Sequence, residues 1–363
     1  MNTTRYVDWI LSALCGFLLV YLLNSLSDKV QNKIVKIIFF ILKALGAVAM
    51  AFSLIAMGAP FFWKYGYLLS GIYIALLADF FAQIVLFIVS LFKKDLAKKF
   101  TLIVSIVCML AVFLYGTINS QIIRANELTY KSDKLKSEHR FVFLSDLHYG
   151  SSQRKDTVQN AFNEIKALKP DFVILGGDIT DEKSEKEEME WVYSQLGSFD
   201  CPVYFIYGNH DRQERGDYVG GKKYTVDELE DAIINNGLIM LVDDYVVVDD
   251  IVILGREDVS HPERQPLDKL KSIPSDSYLI CVDHTPYQND EIRELKADLQ
   301  LSGHTHAGQY FPLHFLYSLA GLNVVDEYRF NDTTLLVSPG IAGWFYPFKN
   351  ESTCRYEVIT LKP

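Results

Sequence analysis

Along the first third of the chain, apolar residues run almost without interruption. Four stretches stand out: Tyr6–Leu23, Ile37–Met57, Leu68–Phe92 and Leu102–Ser120. Each is close to or above the roughly 18–20 residues a helix needs to cross a bilayer core. None carries the polar face that a helix packed in a soluble core turns to water. The pattern therefore predicts a membrane domain of four transmembrane helices over residues 1–120. The first run is too long for a signal-peptide core and lacks a small-residue cleavage site, so its retention is expected.

A polar stretch, residues 121–139, reads as a linker. From residue 140 onward short apolar runs alternate with segments of helical period. Strands are predicted at Arg140–Leu144, Asp171–Leu175, Val203–Tyr207, Ile251–Leu254, Tyr278–Val282, Leu299–Leu301, Thr334–Val337 and Arg355–Leu361. Helices are predicted at Val158–Leu168, Ser184–Leu196 and Val226–Asn235. Strands alternating with helices indicate an α/β domain over residues 140–363.

Charge separates the same two regions. Residues 1–124 carry a net +7, and residues 125–363 a net −17. The acidic part excludes non-specific nucleic-acid binding, which needs clustered cations. In the front part, Lys29, Lys33 and Lys36 follow the first apolar run, and Lys93, Lys94, Lys98 and Lys99 follow the third. Positive loops stay in the cytoplasm. An even number of spans then places the second domain outside the cytoplasm. Lys43 and Asp79 lie within the apolar runs and are expected to pair with one another. The five cysteines form no CxxC and are expected to be free thiols.

The chemistry lies at the strand ends. RFVFL runs into SDLHYG, FVIL into GGDITD, VYFIY into GNHD, YLICV into DHTP, and LQL into SGHTHAGQ. Ligands of open α/β sheets bind beyond the carboxyl ends of the strands. The loops should therefore bring together Asp146, His148, Asp178, Asn209, His210, His284, His304 and His306. Imidazoles and carboxylates with one amide oxygen suit borderline divalent metals, and no thiolate takes part. Seven of these as ligands are too many for one ion and suit two sharing a bridge. In D-x-H and H-x-H, residues two apart on an extended backbone would point the same way. His139, His261 and His314 are assigned to structural roles.

The ordered set D-L-H, G-D-x-x-D, G-N-H-D, a later histidine and G-H-T-H resembles the calcineurin-like metallophosphoesterases. Within them it is most similar to the membrane-associated bacterial branch that includes the lipid pyrophosphatase cleaving UDP-2,3-diacylglucosamine. The resemblance spans about residues 138–363, including the tail VSPGIAGWFYPF. It implies a four-layer α/β/β/α sandwich. It also implies two divalent ions (Mn, Fe or Zn), one held by Asp146, His148, Asp178 and His306. The other would be held by Asp178, Asn209, His284 and His304, with Asp178 bridging. His210 would act on the phosphoryl or leaving-group oxygen, Asp211 would orient its imidazole, and Asp181 would support a ligand from behind. The branch usually has Gly at the position of Ala307.

Two ions roughly 3.5–4 Å apart generate hydroxide from a bridging water and neutralise phosphate oxygens. The expected reaction is in-line hydrolysis of a phosphodiester or pyrophosphate bond with no covalent enzyme intermediate. Tethering to four spans, and the apolar Phe311–Leu322 beside the GHTH loop, favour membrane lipids as partners. They also favour a lipid-linked or envelope phosphoester as substrate. A soluble-nucleotide or phosphomonoester hydrolase, and a non-catalytic metal-binding membrane sensor, are the alternatives.

Overall fold

The computed structural model describes residues 3–56, 60–270, 272–274 and 276–363. Met57, where the second span was expected to end, lies outside them. The chain divides into two compact units, residues 1–118 with Tyr310–Leu313, and Asn119–Gln309 with His314–Pro363.

The first unit consists of long helices: α1 (Thr3–Asp28), α2 (Lys33–Ala56), α3 (Pro60–Phe92) and α4 (Lys94–Asn119). All four contain segments long and apolar enough to cross a membrane. Their outer faces expose large apolar side chains such as Leu18, Leu22, Leu45, Phe87 and Leu91, which water would disfavour and lipid accommodates. Helix α3 packs against both α1 and α2. Small residues permit the closest approach: a Cβ on Gly16 would sit 2.2 Å from the Gly71 carbonyl oxygen. The expected pair forms, with Lys43 Nζ 2.6 Å from Asp79 Oδ2. Asn24 closes the group, accepting from Lys43 and donating to Asp79 Oδ1, each at 2.6 Å. Three helices thus share one satisfied polar cluster.

In the second unit the elements are β1 (Ile123–Lys131), β2 (His139–Leu144), α5 (Lys155–Ala167), β3 (Phe172–Leu175), α6 (Lys186–Leu196), β4 (Val203–Phe205), α7 (Val226–Asn235), β5 (Ile239–Met240) and β6 (Asp244–Val248). They continue with β7 (Ile251–Gly255), β8 (Tyr278–Val282), α8 (Asn289–Leu295), β9 (Leu299–Ser302), α9 (Leu313–Leu319), β10 (Asp326–Phe330), β11 (Thr333–Val337) and β12 (Cys354–Lys362). One six-stranded sheet has the order β1-β12-β2-β3-β4-β5, the other β10-β11-β9-β8-β7-β6.

Side-chain alternation builds the layers. Along β2, Phe141 and Phe143 face the core between the sheets, while Val142 and Leu144 face the helical side. There they meet Val158, Phe162 and Ile165 of α5 and Val192 and Leu196 of α6. Along β8, Ile280 and Val282 enter the inter-sheet core, and Leu279 and Cys281 face outward. The result is the expected α/β/β/α sandwich.

The linker expectation is corrected. Nine of residues 121–139 form β1, an edge strand paired in parallel with β12 along its length. Its alternating sequence, IRANELTYK, has few apolar residues and several charges, as protected sheet edges do. The described cysteines are all free thiols.

Candidate metal centre

The five predicted loops follow β2, β3, β4, β8 and β9, and they converge. Asp146, His148 and His306 form one group of potential ligand atoms within 4.8 Å of one another; Asp178, His284 and His304 form a second. Asp178 faces both, its Oδ2 lying 3.1 Å from His284 Nε2 and 3.7 Å from His148 Nε2. Asn209 Oδ1 lies 2.8 Å from His304 Nδ1, which attaches it to the second group.

The local backbone differs from the extended form expected for D-x-H and H-x-H. Asp146, His148, Asp178, His304 and His306 all have φ between 44° and 71°. Non-glycine residues rarely adopt this left-handed conformation, and such strain concentrates at functional sites. The pairs are therefore aimed by tight turns, and His304 and His306 are sent to different groups. Neighbouring glycines leave room for this: a Cβ on Gly303 would lie 2.2 Å from Asp146 Oδ2, and one on Gly208 2.2 Å from Asp178 Oδ1. Ala307 has φ 51°, which is the reason glycine suits that position.

The donor set fits metal ions. His148 Nε2 and His306 Nε2 face each other at 3.2 Å. That matches the spacing of roughly 3.3 Å between two nitrogens on a tetrahedral ion with 2.0–2.1 Å bonds. His284 Nδ1 is 2.7 Å from the Gly176 carbonyl, leaving Nε2 toward Asp178. His148 Nδ1 lies 3.4 Å from Asp181 Oδ2, which places the Asp181 carboxylate behind that ring. Burial, with the positive His284 nearby, pushes His304 down to about 4. Burial, with His148 nearby, holds His306 well below the usual imidazole range. Both rings are thus neutral and free to donate a lone pair. For Asp178, burial works toward protonation, but His284, His210 and His148 hold its carboxyl well below the usual range.

One assignment changes. The His210 Nδ1 is bound by Glu182, at 2.9 and 2.8 Å from its two oxygens, both residues being buried. The Asp211 carboxylate instead accepts from the backbone N–H groups of Asp178, Ile179, Thr180 and Gly208. Asp211 therefore holds two metal loops together and does not orient the imidazole. Burial and the Asp178 charge raise its carboxyl to about 6. Glu182 was missed because it directly follows the GDITD motif, where nothing in the spacing sets it apart from a helix-leading acid. His210 itself is raised to about 9: burial opposes its charge, but the Glu182 and Asp178 carboxylates outweigh it. Its ring also lies against Trp344, 5.5 Å between centroids. His139 is structural as expected, 2.6 Å from Asp250.

Known proteins resemble this chain in sequence. Residues 139–308 match the family model described as calcineurin-like phosphoesterase. A metallophosphoesterase of Helicobacter pylori (strain J99) is 30% identical over 243 residues, covering 64% of this chain and 62% of that protein. A "transmembrane protein with metallophosphoesterase domain" from Danio rerio is 28% identical over 238 residues, covering 61% of this chain and 53% of that one. The chain thus spans less than two thirds of the length of these relatives. Layered fold, convergent ligand loops and family match lead to one conclusion: residues 139–308 form a calcineurin-like metallophosphoesterase domain.

Proposed function

We propose that the protein is a membrane-anchored, metal-dependent phosphoester hydrolase that cleaves a phosphodiester or pyrophosphate bond in a lipid-linked or envelope substrate. The observation that carries this reading is Asp178, a single carboxylate facing a histidine of each ligand group. In this reading Asp146, His148 and His306 would hold one divalent ion and Asn209, His284 and His304 the other, with Asp178 facing both positions. The chemistry such a pair supplies when bound is a nucleophile at neutral pH and neutralisation of phosphoryl charge. The chain's own contribution is positional. Asp211 ties the Asp178 and Asn209 loops together, Asp181 backs His148, and Glu182 orients His210. His210, protonated at neutral pH, donates to the phosphoryl or leaving-group oxygen.

Anchoring is supported by the four long apolar helices and by the name of the Danio rerio relative. Lysines after the first and third runs support a cytoplasmic position for those loops and an extracytoplasmic catalytic domain. A cysteine at the exposed Asp133, labelled in intact cells by an impermeant thiol reagent, tests this. Protection from the reagent would reverse the orientation.

The full chain, purified in micelles with Mn, is expected to hydrolyse bis-p-nitrophenyl phosphate. Asp178→Asn should lower turnover by about a hundredfold or more, since it removes a charge shared by both ion positions. Near-normal activity in that variant would refute the mechanism. A lipid-linked diphosphate should be turned over faster than a soluble nucleotide; equal rates would discard the lipid assignment.

A further inference from the structure

Beside the metal centre lies a cavity of about 360 Å³, within the size range of small-molecule sites. It is formed by the loop after β4 and by the segment at residues 260–262, and its walls include Asn209, Arg212, Glu214, Arg215, Ser260 and His261. Asn209 also contacts His304, so the cavity begins at the second ligand group. A substrate whose scissile phosphate sits at the ligand groups would extend one of its substituents here.

The wall charges are unequal in kind. Arg212 is fixed: its guanidinium meets both Glu257 oxygens, at 2.9 and 2.6 Å, and lies 3.4 Å from the centre of the Tyr207 ring. Two of its five N–H donors are used on Glu257. Glu214 lies 3.6 Å from Lys222. The Ser260 hydroxyl donates to Asp258, and His261 Nδ1 lies 3.7 Å from Glu257. Arg215 is exposed and, among the described residues, its side chain makes no ion pair or hydrogen bond. Each acid of this wall therefore has its cation, and Arg215 is left over. In a region of net charge −17, an unmatched arginine beside the metal ligands is a specific invitation to an anion. Guanidinium groups suit phosphate because their planar N–H pairs match two oxygens at once.

We propose that this cavity is an anion subsite in which Arg215, next to the prearranged Arg212, binds a second phosphate of the substrate. The inference rests on the phosphoesterase reading and narrows it. The preferred substrates are those with a second phosphate adjoining the scissile one, diphosphate esters rather than simple diesters. A lipid-linked diphosphate and a free nucleoside diphosphate ester share that chemistry.

The test uses the full chain in micelles with Mn, comparing wild type, Arg215→Glu and Arg215→Lys on three substrates. These are a lipid-linked diphosphate, a nucleoside diphosphate sugar, and bis-p-nitrophenyl phosphate, which lacks a second phosphate. Arg215→Glu should raise KM for both diphosphates roughly tenfold or more, with kcat little changed. Arg215→Lys should recover part of the loss, and bis-p-nitrophenyl phosphate should be unaffected by either change. The wild-type kcat/KM ratio between the two diphosphates then identifies the lipid or the soluble source. Equal losses on all three substrates, or none on the diphosphates, would overturn the subsite. Calorimetric binding of inorganic diphosphate separates this from the enzyme reading. If nothing is hydrolysed but binding weakens in Arg215→Glu, the subsite stands and the hydrolase reading fails; binding indifferent to Arg215 removes the subsite.

Discussion

The Nδ1 atom of His210 lies 2.8 Å from Oε2 of the buried Glu182. A carboxylate on one ring nitrogen fixes the ring's direction. Glu182 is thus a positioning residue for His210. Glu182→Gln should lower kcat by about 10- to 100-fold, the usual cost of removing a group that orients another, with metal content unchanged. The loss should be larger for alkoxide leaving groups than for p-nitrophenolate, which needs no proton. A loss that ignores the leaving group would assign Glu182 to structure alone.

Metal binding should depend on pH in a defined direction. Burial opposes a charge on His284, yet Asp178 and other carboxylates hold its imidazole well above the usual range. The metal-free ring is therefore protonated at neutral pH and must lose its proton to become a ligand. Chelator-treated protein should release protons when reloaded with Mn, and affinity should increase as pH is raised from 6 to 8. Calorimetry in two buffers of different ionisation enthalpy reads the proton count. A count of zero would contradict the pairing of His284 with Asp178.

Ala307 holds a left-handed backbone that glycine adopts without steric cost. Ala307→Gly should raise the stability of the second unit by about 0.5–1 kcal/mol, read from chemical denaturation. The opposite change at Gly303 meets Asp146. Gly303→Ala should reduce bound metal, measured by elemental analysis, before it affects global unfolding.

The Lys43–Asp79 pair should behave as a buried ion pair. Removing one partner, as in Asp79→Leu, leaves a charge without its match and should cost about 3–5 kcal/mol. The double replacement Lys43→Met with Asp79→Leu should recover much of that. Thermal melting of the full chain in detergent provides the comparison, and additive losses would show that the two groups are not coupled.

Much of this was legible from residue order because the signals are local. A run of apolar residues announces a long helix whatever surrounds it, and alternation in RFVFL already separates Phe141 and Phe143 from Val142 and Leu144. The metal loops were legible for a related reason: ligand residues must stand where strands end, so type and position coincide. β1 was not, because an edge strand pairs through its backbone and its side chains need no apolar pattern. β10 was missed likewise; its sequence DEYRF looks polar, and it too sits at a sheet edge.

The sequence by itself determined the two-part organisation, the α/β class and seven ligand candidates, since periodicity and strand-end chemistry are properties of neighbours along the chain; the sandwich followed from the family resemblance. Only the tertiary structure decided that Glu182 serves His210, that Asp211 instead binds four backbone N–H groups, and that left-handed turns rather than extended backbone aim His304 and His306. Those relations depend on turn conformations at positive φ and on contacts between loops distant in sequence. A side chain's direction there is set by backbone geometry that no residue spacing encodes.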